Sequence, residues 1–216
     1  ARNNGARIAN GDFLIFLDSD DLVERKWLLG FAEILEKDPK VELIQSGFKR
    51  IDLLTGNKTV HIASPGKYNV GLAGTFAIKN KLFQKVKGYD ESLRYSENME
   101  LLLRVGYENP KMAILEKSDL IYRDSGNGGS RNLPNLRNSL KLIISKHREN
   151  LSSLDLWNFS QTLGVIHLRL QEFPEARKAF KNAITFKPKK ITTYLRLLIS
   201  YLPFISKKVY SSRQFR

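Results

Sequence analysis

The 216-residue chain has no cysteine. A disulfide framework and thiolate-ligated zinc or iron–sulfur centres are therefore excluded. Histidine is nearly as scarce: His61, His147 and His167 lie far apart, without the helical i, i+4 spacing of a metal site. No apolar run reaches the roughly 18–20 residues that would span a bilayer. The longest candidate, Ile191 to Ile205, is too short and contains Arg196. The first residues do not read as a signal peptide, so a cytoplasmic location is expected. Acidic residues are missing from the whole stretch after Glu175, where lysines and arginines continue to Arg216.

The residues that are present, 42% hydrophobic and 27% charged, suit a folded chain and exclude wholesale disorder. The net charge of +14 is unevenly spread. Residues 1–150 hold 24 Lys/Arg against 19 Asp/Glu, and residues 151–216 hold 12 against 3. This asymmetry predicts a boundary near residue 150 and a basic tail suited to an anionic partner. Nucleic acid and the anionic face of a membrane are the two chemistries to weigh, beside a tail that is merely solvated. No nucleic-acid-binding motif accompanies the charge, which argues against the first.

Asp12 to Leu17 (DFLIFL) reads as a strand buried on both faces, as in a parallel sheet. It ends in Asp18-Ser19-Asp20-Asp21, where Asp20 or Asp21 is placed to cap a helix from Val23 carrying Trp27, Phe31 and Ile34. Strands follow at Val41 to Ser46 and Phe48 to Leu53, with a hairpin to Thr59–Ile62. Thr75 to Ile78 predicts another strand, and Lys79 to Val86 a helix. Glu97 to Tyr107 predicts an amphipathic helix with Ser96 as its N-cap. Alternating strands and helices make the first part α/β.

Beyond Tyr122 the pattern changes. Asp124 to Asn135 is a Gly-, Ser- and Asn-rich linker. Leu136 to Glu149 and two segments within Leu156 to Lys187 are helical, with a turn at Glu172–Pro174. Leu163-Gly164, His167, Ala176, Phe180, Ala183 and Pro188 resemble the tetratricopeptide pattern of about 34 residues, in which small side chains let two helices approach closely. In that pattern His167 is a packing residue. A single repeat makes an appendage, not an array, with Tyr194 to Leu202 as a further helix.

The chemistry points to Asp18, Asp20 and Asp21 at the carboxyl end of the first strand, where open α/β sheets bind ligands. Like charges placed so closely call for a cation, and hard oxygen ligands suit Mg²⁺ or Mn²⁺ bound to substrate phosphates. The alternative is that Asp18 ends the strand and Asp20 caps the helix.

Ala1-Arg2-Asn3-Asn4-Gly5, Gly11-Asp12-Phe13 and the Asp18–Asp21 turn together resemble the family 2 glycosyltransferases of the GT-A fold. Gly74-Thr75-Phe76-Ala77-Ile78 is similar to that family's acceptor-side strand. Val86 to Leu93, Ser96-Glu97-Asn98-Met99-Glu100-Leu101 with Arg104, and Leu120-Ile121-Tyr122-Arg123 follow in the family's order, so the resemblance covers about residues 1–130. It implies inverting transfer of a sugar from a nucleotide-sugar donor to a saccharide or lipid-linked acceptor, in polysaccharide or glycolipid synthesis of the cell envelope. It also implies that Asp18 and Asp20 hold Mg²⁺ or Mn²⁺, that Arg2, Asn3 and Asp18 contact the donor, and that Gly74 and Thr75 contact substrate.

Two positions depart from the family. Asn98 stands where the catalytic Asp is expected, and an amide is no general base. The role then passes to Glu97 or to Glu100, or the domain has lost activity and serves as a tetratricopeptide-like interaction module. Ser125 stands in place of a His. The family's first strands, about 80–100 residues, would precede Ala1, so the expectation is an incomplete α/β domain. Expected boundaries are 1–130 for the partial GT-A mixed sheet and 131–150 for a linker and helix. An all-α helical region at 151–203 and a basic tail at 204–216, placed for peripheral contact with the inner face of a membrane, complete the chain.

Overall fold

In the computed structural model, which describes residues 1–65, 71–126 and 132–210, adjacent residues of the central strands serve two different cores. Leu43, Phe76 and Ile78 pack with Leu14, Phe83 and Leu101 on one face. Ile44 and Ala77 pack with Trp27, Phe31 and Leu115 on the other. Successive strand side chains point to opposite faces, so this alternation demands helices on both sides of the sheet.

The first of two units, Ala1–Arg131, supplies them. Its elements are α1 (Arg2–Ile8), β1 (Phe13–Ile15), β2 (Leu22–Val23), α2 (Trp27–Lys37), β3 (Leu43–Asp52), β4 (Lys58–His61), β5 (Phe76–Lys79), α3 (Asn80–Lys85), α4 (Glu97–Tyr107) and β6 (Met112–Asp124). Helices α1, α3 and α4 cover the first core, and α2 covers the second. The strand order is β1-β5-β3-β6-β2, with β4 also paired to β3. Among the described residues β3 and β6 pair parallel and the other pairings are antiparallel. The sheet is therefore mixed, as expected.

Strand β3 turns from β5 to β4 part-way along. Leu43–Gln45 pair with β5 and Phe48–Ile51 with β4, and the register on β6 shifts between Ser46 and Phe48. A Cβ on Gly47 would sit 2.1 Å from the His61 carbonyl oxygen. Only glycine admits that approach, and it sits at the register shift.

Several local expectations change once the strands are paired. The first strand is three residues long and pairs with β5, antiparallel, at the sheet edge, so the parallel pairing fails, although Leu14 faces one core and Phe13 and Ile15 pack against the other. No helix starts at Val23. Leu22 and Val23 pair with Ile121 and Leu120, and α2 begins at Trp27 without a side-chain cap. Neither Asp20 nor Asp21 caps it. Helix α4 has the expected limits, but Ser96 is left-handed (φ 59°) and makes no side-chain capping bond. The closing strand begins at Met112, well before Leu120, because β6 follows β3 along its whole length.

The second unit, Asn132–Arg216, is helical where described: α5 (Leu133–His147), α6 (Ser153–Arg169), α7 (Phe173–Phe186), α8 (Ile191–Ile199) and α9 (Pro203–Val209). A reciprocal Ser152–Asp155 capping box starts α6, each accepting the other's backbone N–H at 3.1 Å. Pro134, Pro174 and Pro203 sit in the first turns of α5, α7 and α9, where a missing N–H is harmless. Helices α6 and α7 meet where Gly164 faces Phe180; a Cβ there would lie 2.4 Å from the ring. His167 is buried, with Nδ1 2.5 Å from Glu172 Oε2. Parts of the expected linker (127–131) and of the basic tail (211–216, with Arg213 and Arg216) lie outside the described residues.

Candidate active site

The turn after β1, the start of α1 and the start of α4 converge on one guanidinium. Arg2 donates from Nη2 to Asp18 Oδ1 at 2.5 Å and from Nη1 to Glu97 Oε1 at 2.7 Å. Its Cζ lies 5.3 Å from the centre of the Tyr89 ring. Burial opposes the charge on Arg2, but hydrogen bonds to Glu97 and Asp18 outweigh it and hold the pKa above its ordinary value. Residues 2, 18 and 97, far apart in sequence, thus form one half-buried cluster. Phe16 packs edge-on against Tyr89 beneath it.

Asn3 has a different task from Arg2. Its amide accepts from the Tyr89 backbone N–H (2.8 Å) and donates to the Tyr89 carbonyl (2.9 Å) and to Glu91 (2.9 Å). Both ends of the amide therefore tie α1 to the Gly88–Glu91 loop. The Tyr89 hydroxyl in turn donates to Asn98 Oδ1 at 2.8 Å. Burial drives the Tyr89 phenol well above its usual range, so it remains a donor to Asn98.

The three candidates on α4 are sorted by this geometry. Glu97 is half-buried, at the first turn, where the helix dipole favours a carboxylate. Asn98 is held by Tyr89. Glu100 is 1% exposed, and its two oxygens receive Arg104 Nε and Nη2 at 2.7 and 2.6 Å. Arg104 also donates to the carbonyls of Val86 and Gly88. Glu100 thus anchors the loop through Arg104, an i, i+4 pair that the sequence spacing already offers.

Within the aspartate turn the side chains also divide. Asp20 is exposed, and Asp18 holds Arg2. Asp21 is buried and accepts the Arg123 backbone N–H at 3.0 Å, stitching the turn to β6. Desolvation raises its pKa, with the Arg123 hydrogen bond opposing and Asp20 and Asp18 reinforcing the shift. No sequence signal pointed to that pairing. Gly74 (φ 88°) accepts the Trp27 indole N–H at 3.1 Å. Thr75 is 1% exposed, with its hydroxyl closing the turn onto Leu72 at 2.8 Å. Both shape the loop leading into β5. Tyr95, pushed up to about 12 chiefly by burial, lies in the field of Tyr122 and Glu97.

A divalent cation fits this chemistry in one particular way. Among the described residues no three His, Cys, Asp or Glu side chains form an all-protein cage. Asp18 and Asp20 supply hard oxygens, and a cationic group already sits on Asp18. Mg²⁺ commonly takes one or two carboxylates and completes its shell with water and substrate phosphates.

The curled mixed sheet, helices on both faces and a carboxylate turn after β1 match the GT-A architecture. Residues 1–99 match the family model described as glycosyl transferase family 2. An uncharacterized glycosyltransferase of Haemophilus influenzae is 29% identical over 117 residues, 49% of this chain and 39% of that protein. The chain therefore spans well under half of that relative. Among solved structures, S. aureus TarS 1-349 in complex with UDP has a TM-score of 0.55 at 14% identity, over 100% of this chain and 71% of that one. The mannosyltransferase PcManGT of Pyrobaculum calidifontis, in complex with GDP-Man and Mn²⁺, scores 0.51 at 11% identity, over 97% and 65%. At such identities the likeness is one of fold.

Proposed function

We propose that the protein bearing this chain transfers a sugar from a nucleoside-diphosphate donor to an acceptor hydroxyl, in a single inverting displacement. The carrying observation is the Arg2 bridge, which brings the Asp18 turn and Glu97 within one guanidinium of each other. A donor contact and a base at that separation can address the two sides of one anomeric carbon. The related fold of TarS in complex with UDP, and of PcManGT with GDP-Man and Mn²⁺, supports the donor class.

Glu97 takes the acceptor's proton as that oxygen bonds to the anomeric carbon, and the bond from that carbon to the diphosphate oxygen breaks with its electron pair. Asn98, fixed by Tyr89, cannot take the proton but orients the start of α4 beside Glu97. Arg2 meets the charge that develops on the diphosphate, and electrostatic stabilisation of this kind is a large contributor to catalysis. Asp18 and Asp20 would hold Mg²⁺ or Mn²⁺, which supplies Lewis-acid stabilisation of the leaving diphosphate. The acceptor is a saccharide or a lipid-linked saccharide, in keeping with polysaccharide or glycolipid synthesis.

The test uses the intact protein, UDP- and GDP-sugars and Mn²⁺. Asp20→Asn should abolish metal-dependent donor binding measured by calorimetry while leaving the fold intact. Normal donor binding by that variant would overturn the metal assignment. Absence of both transfer and donor hydrolysis across the nucleotide sugars would favour a catalytically silent domain serving the helical unit as an interaction module.

A further inference from the structure

In α8 the usual distribution of polar and apolar residues is reversed. The buried positions are Thr193 and, at the C-cap, Ser200, with Leu197 between them packed on the α6–α7 core. Thr193 Oγ1 accepts from Gln161 at 2.6 Å and from the Trp157 indole at 3.3 Å. Arg196 donates to Gln161 Oε1 at 2.6 Å. Hydrogen bonds, together with Leu197, therefore tie α8 down. The large apolar residues face out instead: Ile191 is 74% exposed, Tyr194 45%, Leu195 54% and Leu198 59%. Spaced i, i+3, i+4 and i+7, they form one stripe along the helix. Phe204, 85% exposed, and Ile205, 45% exposed, extend the apolar surface into α9. Leu197 packs on the core, whereas Tyr201 is 52% exposed.

The charge around the stripe has one sign. Lys189 and Lys190 immediately precede α8, Lys207 and Lys208 lie on α9, all are exposed, and no carboxylate side chain occurs after Glu175. Protein–protein interfaces are depleted of lysine. Exposed Leu, Ile and aromatic side chains bracketed by lysines match instead the boundary between lipid headgroups and acyl chains, where apolar groups enter and lysines meet anionic phosphates. We propose that the outer face of α8 and α9 docks this protein on an anionic membrane surface, lying in the interface without crossing it. None of the described helices is long and apolar enough to cross a membrane. The inference stands apart from the transfer reaction and is read by binding alone.

The experiment is co-sedimentation of the intact protein with vesicles of phosphatidylcholine, alone or with one-third phosphatidylglycerol, at low and at 0.5 M salt. Binding should appear on the anionic vesicles, fall steeply with salt and be weak on the neutral ones. Lys207→Gln/Lys208→Gln should weaken it roughly 10–30-fold, since each basic residue near such a surface is worth about fivefold. Leu195→Ser/Leu198→Ser should weaken it at least as much while leaving the circular dichroism spectrum and melting midpoint unchanged, because both side chains are already solvent-exposed. Equal binding of wild type and the leucine variant would overturn the proposal, as would equal binding to neutral vesicles. So would a concentration-dependent dimer in sedimentation velocity that the leucine variant abolishes, because a second copy would then be the occupant.

Discussion

Replacing Arg2 by Met removes the charge and keeps most of the apolar stem. It leaves the carboxylates of Asp18 and Glu97 facing the same vacated position. The side chains of Arg2 and Glu97 are each 28% exposed and that of Asp18 43%, so solvent screens both pairs, and exposed pairs contribute about 0.2–1 kcal/mol each. Two pairs sharing one guanidinium then sum to about 0.4–2 kcal/mol. For a chain of this size about 1 kcal/mol moves the melting midpoint by about 2–4 °C. Arg2→Met should therefore lower it by about 1–8 °C. The sign of the next step is the stronger test. Asp18→Asn alone should destabilise by losing a pair, but in the Arg2→Met background it should stabilise by removing repulsion from Glu97. Urea denaturation of the four proteins, followed by circular dichroism at low salt, should give a coupling of at least about 0.5 kcal/mol that shrinks at 0.5 M salt. Additivity within about 0.3 kcal/mol would refute the idea that one guanidinium joins the two carboxylates. Titration of Arg2 does not complicate the cycle. A group whose folded pKa is raised loses its contribution only as pH rises through that pKa, and for Arg2 this lies above any working pH.

Glu97→Gln should lower transfer by about 10²–10⁴-fold with donor affinity retained, whereas Asn98→Asp should leave activity equal or higher; steady-state kinetics with separate donor binding would expose a reversed order. Glu100→Gln should act on the fold, lowering the melting midpoint through Arg104 and the Gly88 loop, and an activity loss without destabilisation would reassign it as the base. Gly164→Ala should cost about 1–3 kcal/mol by driving a methyl into the Phe180 ring, and Phe180→Leu in the same chain should recover part of the loss in a urea titration. For Glu172, desolvation is outweighed by hydrogen bonds from His167 and Arg137, and the pKa is lowered. A lowered carboxylate pKa gives stability that is present above the usual Glu range and lost as pH falls through the folded value. Glu172→Gln should therefore remove about 0.5–1 kcal/mol near neutrality, discounted for the partial exposure of this side chain. The difference should close on acidification; a constant gap down to pH 3 would contradict the linkage.

Local pattern alone set a good deal of this protein. The limits of α4, the β3–β4 hairpin, the α6–α7 pair and its Gly164 contact all follow from periodicities and turn residues close together in the chain. The resemblance to family 2 glycosyltransferases follows from the ARNNG segment and the Asp18 turn in the same way. These features need only neighbours within about one supersecondary unit, and such neighbours are visible in the residue order. What the order of residues left open was every choice made by a distant partner. Leu22 and Val23 became strand, not helix, because the far end of β6 offered them backbone hydrogen bonds. For the same reason Asp21 went to the Arg123 amide and not to a helix cap. Glu97 and Glu100 are one turn apart with the same chemistry, and only the positions of Arg2 and Arg104 separate a candidate base from an anchor. On α8, the Thr193 hydroxyl found Gln161 and Trp157 inside, so leucines that hydrophobicity alone would bury were left outside. In each case a backbone or side-chain hydrogen bond to a remote residue outweighed a local preference worth a few tenths of a kcal/mol to about 1 kcal/mol. Only the tertiary structure brings those partners together.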